Sequence, residues 1–395
     1  MITVSMGRDV NGKKISRYLT WVPDKEYTPK QLDKELHRQA TLFEEACRTG
    51  QVTKGGNMKL VDFIPKWLEN IKASIAVTTY KKYEYLCQTL IIPALGHMKL
   101  KDIKPIHVQQ YVNALTNTKL DNKNGEGKDG KTLAASTVQR YYTCLRSIMH
   151  DAYRLELIPS NPCDSGKIKL RQIGETVTEI YDEEELAELL EALEGEPLQF
   201  QVLIHLAIIT GCRRGELVAL EWSDIDFDKG SIFIHKSAYK IKGEPIGIKD
   251  TKSHRSRTVI VPEYVLEMLR DLHSEQLQRQ LKLGTAWQGK EWLFTKANGD
   301  IMFPTSPTMI FSKFLKRKGL PHKKFHALRH TSATLSLIYG IDIKTVGERL
   351  GHSQMKTTNR YLHAIEEADR RAADVLGGIV LTLQAENRKK HQEAS

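Results

Sequence analysis

The sequence predicts a multidomain chain, mainly α-helical with small antiparallel sheets, an α+β architecture. Three observations carry that prediction. The chain has 395 residues, too many for one ordinary core. Most of its apolar residues recur at helical spacing. Two places break that spacing with short alternating runs that read as strands.

Composition narrows the class before any motif is read. Hydrophobic residues make up 40%, charged residues 27% and aromatics 7%, the profile of a folded chain. No apolar run approaches the roughly 18 residues that span a bilayer, and the N-terminus lacks the apolar core of a signal peptide. A cytoplasmic, nucleoid-associated protein is the expectation, with no membrane partner. The five cysteines (47, 87, 144, 163 and 212) form no CxxC pair, so neither a disulfide framework nor a zinc site is expected. Net charge is +11, unevenly spread: residues 1–56 carry +3, residues 57–175 carry +7 and residues 176–395 carry +1. The middle segment is the electrostatic footprint, and a polyanion is its natural partner, although a lysine-rich solvated surface would look the same.

Residues 1–56 open with two alternating runs, "MITVSM" and "ISRYLTWVP", around Asn11-Gly12, a hairpin signal. Thr28 and Pro29 then start a helix that Gly50 ends. Arg8, Lys13, Lys14 and Arg17 on this hairpin are candidate DNA contacts; a hairpin that only packs is the bland alternative. "TKGGN" (53–57) reads as a linker. Residues 57–165 read as all helical. "KLVDFIPKWLENIKA" has a helical apolar stripe, "VTTYKKYEYLCQTLIIPALG" follows with a threonine cap, then "HVQQYVNAL" and "STVQRYYTCLRSIMHDAYRLELI", the last capped by Ser136. Residues 117–132 are a glycine- and lysine-rich loop. Lys81, Lys82, Arg140 and Arg146 are placed on or near helix starts, where backbone N–H groups favour phosphate.

Residues 166–178 form an interdomain linker. Helices then alternate with a small sheet: "DEEELAELLEALEG" and "PLQFQVLIHLAIITGCRRGELVALEW" as helices, "GSIFIHKSAYK" and "RSRTVIVP" as strands. Helices follow at 263–283, 305–318, 325–339, 342–350 and 354–376.

Four islands in this last segment carry chemistry: "TGCRRGELVALEWSDID", "DTKSHRSRTVIVP", "HALRHTSATLSL" and "LGHSQMKTTNRYLHA". Each alone has an ordinary explanation: a surface arginine pair, a basic turn, a capping histidine beside a solvated arginine, a helix C-cap. Together they supply two arginines, a lysine, two histidines and a tyrosine, with no carboxylate cluster for a metal. That set suits a phosphodiester attacked without Mg²⁺. Arginine forks bind the non-bridging oxygens bidentately and stabilise a pentavalent transition state. A tyrosine of ordinary pKa near 10 needs a base or a field of cations, and a leaving 5′ oxygen needs a proton.

In this order the islands resemble the catalytic domain of tyrosine recombinases, and the layout resembles the integrases of temperate phages and Gram-positive conjugative transposons. The resemblance implies a catalytic set of Arg213, Lys252, His326, Arg329, His352 and Tyr361, with Lys249 as the fallback lysine. It implies that Tyr361 attacks phosphorus to form a 3′-phosphotyrosine. Arg213 and Arg329 clamp the phosphate, Lys252 protonates the leaving oxygen, His326 assists proton transfer with the tyrosine and His352 hydrogen-bonds the phosphate. Two strand exchanges through a Holliday junction then give recombination, without cofactor, metal or ATP. Glu216 would orient Arg213, His330 would be a core hydrogen-bonder and Tyr339 would pack. The implied domains are an arm-type DNA-binding domain at 1–56, a helical core-binding domain at 57–165 and a catalytic domain at 179–378. The tail, 379–395, would have an apolar β-type run from Ile379 to Leu383 that docks on a neighbouring subunit, or is a frayed tail that packs in cis or not at all. The implied partners are double-stranded DNA at core and arm-type sites, three further copies in a tetramer on DNA, and a DNA-bending or excision accessory protein. The basic middle segment and the catalytic domain would form a C-shaped clamp around the duplex. A type IB topoisomerase-like enzyme and a non-catalytic DNA-binding regulator are the alternatives.

Overall fold

The computed structural model describes residues 1–8, 12, 14–23, 26–48, 57–118, 132–164, 166–172, 174, 179–251, 256–289, 291–352, 358, 361 and 377–381. The chain forms two compact units, residues 1–176 and 177–395.

The first unit opens with an antiparallel hairpin, β1 (Ile2–Arg8) and β2 (Lys14–Leu19), followed by the helix α1 (Pro29–Arg48). Strand parity places Ile2, Val4, Arg17 and Leu19 on one face, where Ile2, Phe43 and Cys47 form a small core. Arg17 therefore sits on the helix-packed face and not on the exposed one expected for it. Arg8 and Lys14 pair at the turn end, where both are exposed and Arg8 donates to the Gly12 carbonyl at 2.8 Å. Lys13 lies outside the described residues.

The helical part runs α2 (Leu60–Ile71), α3 (Val77–Leu86), a π-helical turn at Cys87–Ile91, α4 (Ile92–Leu95), α5 (Pro105–Asn117) and α6 (Ala135–Arg154). Leu60, Phe63, Ile64 and Trp67 of α2 pack against Leu145, Ile148 and Met149 of α6 in one core. The Trp67 indole N–H, carried into that core, donates to Asp151 at 2.7 Å. Two expected caps are absent: Ala76 and Ala134 occupy the N-cap positions, and Ser136 falls inside the first turn. Lys81, Lys82, Arg140 and Arg146 all lie beyond the first turn of α3 or α6, so the helix-start argument for phosphate applies to none of them. The glycine-rich loop falls mostly at 119–131, outside the described residues. The start of the expected linker is pinned to this unit, because Gln109 of α5 exchanges two bonds with the Lys169 backbone.

The second unit begins with α7 (Glu183–Leu193), whose Asp182 and Glu185 form a capping box. Next come α8 (Leu198–Thr210) and the short α9 (Arg214–Val218). Strands β3 (Ile225–Asp226), β4 (Ser231–Ile234), β5 (Lys236–Lys240), β6 (Ile246–Asp250) and β7 (Arg257–Ile260) follow. They form a sheet ordered β3-β4-β7 and a hairpin β5-β6. Strand β6 falls between the two strand runs read from the sequence and was not among them. The remaining helices are α10 (Glu263–Leu283), α11 (Ser306–Lys318), α12 (His326–Ile338) and α13 (Ile343–Leu350). The core joins α8, the inner face of the sheet, α10 and α11. A smaller cluster of Ala333, Leu337, Val346, Leu350 and Tyr361 lies beside it. Residues 377–381 are helical, which replaces the β-type run expected from 379 as far as 381; 382 and 383 lie outside the described residues. The expected helix at 354–376 lies almost wholly outside the described residues.

Candidate active site

The site is assembled at two helix C-termini. Helix α8 ends at Gly211 and α13 at Gly351, both in the left-handed region, with φ of 59° and 68°. A helix end exposes carbonyls without intrahelical partners and carries partial negative charge. Here cations fill that role. Arg257 Nε donates to the Arg349 carbonyl at 2.7 Å, Arg329 Nη2 to the Leu350 carbonyl at 2.9 Å, and Arg213 Nη2 to the Gly351 carbonyl at 3.5 Å. Arg329 Nη1 also donates to the Gly211 carbonyl, so its guanidinium ties the two helix ends together.

Glycine is required at both ends. A Cβ on Gly211 would lie 2.3 Å from Leu350 Cδ2, and one on Gly351 would lie 2.8 Å from Arg257 Nη1. The "TG" before the first arginine and the "LG" before His352 are thus the contact surfaces of one junction.

A single carboxylate organises the cations. Glu216 is 1% exposed; its Oε1 accepts from Arg213 Nη1 and its Oε2 from Arg257 Nη2, each at 2.8 Å. Burial alone would raise its pKa, but Arg257 and then Arg213 outweigh that and hold it below the ordinary carboxylate range. Arg329, 3% exposed, is pulled down to about 10, first by burial and then by repulsion from Arg213. Three guanidinium groups around one carboxylate leave an excess of positive charge, which suits an incoming phosphate. Arg214, the neighbour set aside in the sequence, points elsewhere and donates to Thr308 at 2.8 Å.

His352 follows the α13 cap and bonds the Thr358 hydroxyl through Nδ1 at 2.8 Å. Its ring stacks on the Tyr361 ring at 6.4 Å and 10°. Tyr361 is 3% exposed, a buried residue despite its polar sequence surroundings. Its hydroxyl lies 2.7 Å from His330 Nδ1. His326, at the exposed start of α12, meets the His330 ring edge-on at 4.7 Å.

The structure thus gathers Arg213, Arg329, His352 and Tyr361 around one junction, with His326 adjoining through His330. Lys252 lies outside the described residues. The fallback Lys249 sits on β6 with its ammonium 5.3 Å from the Tyr239 ring. Tyr339, expected to pack, is 70% exposed and donates to Glu183 at 2.9 Å. Sequence reading missed Arg257, and strand parity could have found it: Thr258 and Ile260 face out, so Arg257 shares the inward side with Val259. A basic residue at an inward strand position calls for a buried carboxylate, which Glu216 supplies.

Among the candidate DNA contacts, Lys82 of α3 and Arg140 of α6 share a groove of about 380 Å³ with Thr79, Tyr83, Gln139 and Thr143. Lys81 is paired with Glu84 at 3.1 Å, and Arg146 is exposed farther along α6. Among the described residues, no cluster of histidine, cysteine and carboxylate could hold a metal, and no helix is long and apolar enough to cross a membrane. All five cysteines are buried thiols.

Residues 179–368 match the phage integrase family, and residues 59–116 match the phage integrase N-terminal SAM-like domain. A tyrosine recombinase XerC-like protein of Caldanaerobacter subterraneus subsp. tengcongensis is 30% identical, over 96% of each chain. The ICEBs1 integrase of Bacillus subtilis is 27% identical, over 63% of this chain and 67% of its own. Among solved structures, the Tn1549 transposon integrase in complex with a circular intermediate DNA has a TM-score of 0.65 at 19% identity, covering 81% of this chain and 99% of that one. A lambda integrase tetramer bound to a Holliday junction has a TM-score of 0.55 at 18% identity, covering 88% and 92%. These likenesses extend the shared fold across both units.

Proposed function

The chain belongs to the phage integrase family, the tyrosine-type site-specific recombinases, and we propose that it cuts and rejoins duplex DNA through Tyr361. The observation that carries this reading is the convergence of Arg213, Arg329, His352 and Tyr361, from three separated stretches of sequence, on the junction of two helix ends.

The Tyr361 oxygen forms a bond to phosphorus, the bond to the 5′ oxygen breaks, and a 3′-phosphotyrosine and a 5′ hydroxyl result. Arg213 and Arg329 hold the non-bridging oxygens. A guanidinium has five N–H groups, so the two Arg329 bonds described leave donors for phosphate. Their charge stabilises the pentavalent transition state, usually the largest source of acceleration in such transfers. His352 donates to the same phosphate and His326 assists proton transfer, while Lys252 gives the leaving oxygen its proton. The phosphotyrosine keeps the energy of the broken ester, so a new 5′ hydroxyl can reverse the step without ATP. Two such exchanges pass through a Holliday junction.

The proposed division of labour follows the domains. Residues 1–56 bind arm-type sites through Arg8, Lys13, Lys14 and Arg17. Residues 57–165 bind core sites, with Lys82 and Arg140 in one groove and Lys81 and Arg146 on the same two helices. Residues 166–178 link them to the catalytic domain at 179–378, and residues 379–395 form the tail. Four copies assemble on DNA, and an accessory factor that bends DNA or directs excision sets the outcome.

The test is a nicked suicide substrate whose short 5′ fragment diffuses away after cleavage. Wild-type protein should become covalently attached to DNA and Tyr361→Phe should not. An adduct that survives Tyr361→Phe rejects the mechanism.

A further inference from the structure

Thr358 is fully buried, at 0% exposure, although the stretch around it, "MKTTNRY", is rich in polar residues. It lies three residues before Tyr361 and bonds to both functional side chains' segments. Its side-chain Oγ1 is 2.8 Å from His352 Nδ1, and its backbone carbonyl accepts from the Tyr361 N–H at 3.0 Å. A residue that served only packing there would need no hydroxyl, because burying one unpaired costs about 1–3 kcal/mol.

The direction of the bond between Thr358 and His352 follows from counting donors. A hydroxyl has one O–H to give, and a neutral imidazole has one N–H and one nitrogen lone pair. Were Nδ1 the protonated nitrogen, it would donate to Oγ1, and the Thr358 O–H would need an acceptor of its own. Among the described residues, His352 Nδ1 is the one partner of that hydroxyl. A buried donor without an acceptor is the costlier fault, whereas an oxygen with an unused lone pair is better tolerated. The Thr358 O–H therefore donates, Nδ1 accepts, and the ring hydrogen stands on Nε2. The backbone of His352 is held as well: its N–H donates to the Gly347 carbonyl at 2.9 Å across the α13 cap.

We propose that Thr358 is a positioning residue for cleavage: it holds neutral His352 in the Nε2–H tautomer, so that the ring meets the scissile phosphate as a donor. The inference rests on the Tyr361 reading, with His352 as a donor to phosphate, and deepens it. The opposite tautomer would turn a nitrogen lone pair toward anionic oxygens, and the two would repel. Through its carbonyl the same residue fixes the chain that carries Tyr361, so donor and nucleophile share one support. No bond to Thr358 forms or breaks in the reaction, and its proton stays in place.

The test uses the full chain and single-turnover cleavage of the nicked suicide substrate. Thr358→Val keeps the side-chain shape and the backbone bond but removes the O–H. It should slow adduct formation about tenfold, the worth of one oriented hydrogen bond. Thr358→Ser retains the O–H and should recover most of that loss. Because Thr358 acts through His352, adding Thr358→Val to His352→Ala should slow cleavage no further. Nitrogen NMR of the full chain, isotopically labelled at histidine, reads the tautomer directly. The neutral His352 signal, identified by its loss in His352→Ala, should carry its hydrogen on Nε2. That measurement needs only wild-type protein for its answer, so it decides the matter should the valine protein fail to fold. Thermal melting and noncovalent DNA binding check the variants. Cleavage by Thr358→Val within about threefold of wild type overturns the proposal. So does a serine variant no faster than the valine one, an additive double variant, or a hydrogen on Nδ1. Absence of any wild-type adduct overturns the Tyr361 reading instead, a distinct failure.

Discussion

Glu216 is the residue on which the cation cluster depends. It separates Arg213 from Arg257 and is the carboxylate bonded to both. Removing one partner of a buried ionic network typically costs about 3–5 kcal/mol. Glu216→Gln should therefore destabilise the second unit at neutral pH by an amount of that order, read from urea unfolding. The sign with pH is fixed by the lowered Glu216 pKa. Its contribution is fully present above the ordinary carboxylate range and is lost as pH falls through the folded value. The difference between wild type and Glu216→Gln should shrink as the wild-type carboxyl protonates; a constant difference would contradict the assignment. Arg257→Met should also slow cleavage at least tenfold while noncovalent DNA affinity changes little. Arg257 orients Arg213 through Glu216 and has no contact of its own with the tyrosine among those described.

At the scale of elements, the C-terminus of α13 is where the site is built. Three arginines donate to three successive carbonyls there, so a displacement of this helix end moves every cation at once. Gly351→Ala adds a methyl 2.8 Å from Arg257 Nη1 at a backbone φ of 68°. The left-handed conformation alone costs about 1–2 kcal/mol for an ordinary residue. The expected outcome is a lower melting temperature together with lost cleavage. Lost cleavage without any stability change would mean the glycine serves another purpose. In the first unit, the groove between α3 and α6 offers a separate test. Lys82→Glu with Arg140→Glu should weaken binding and lower the salt slope of log K by about one unit for each phosphate no longer neutralised. Anisotropy across a salt series measures it, and an unchanged slope would remove this groove from the DNA interface. Ile379, Val380 and Leu381 are 50%, 52% and 67% exposed, three consecutive apolar residues in want of cover. Deleting residues 379–395 should impair synapsis while leaving single-site cleavage; unchanged recombination would reject a role for the tail.

At the scale of the whole molecule, charge and chemistry are segregated. Residues 57–175 carry +7, whereas residues 176–395, which hold the cleavage chemistry, carry only +1. Affinity is therefore expected to reside mainly in the first unit and bond-breaking in the second. That division suits a recombinase, which must hold DNA between two reversible cleavages. A plasmid carrying two sites should be recombined by the full chain. Relaxation of supercoils with no recombinant product would favour nicking and resealing alone.

Sequence by itself determined the residue types and their order. Arg213, His326, Arg329, His352 and Tyr361 were nominated from the sequence because the proposed chemistry needs a set of donors and a nucleophile. The helices were legible because apolar periodicity and punctuation by glycine and proline are local properties. Strand β6 was not, since its partner β5 rather than its own pattern makes it a strand. The tertiary structure alone decided who touches whom. It put Tyr361 on His330, Arg257 on Glu216, and three guanidinium groups on one helix end. Those contacts join residues up to 138 positions apart. No local rule reaches that far, because burial and the pairing of buried charge are settled only when separate segments pack together.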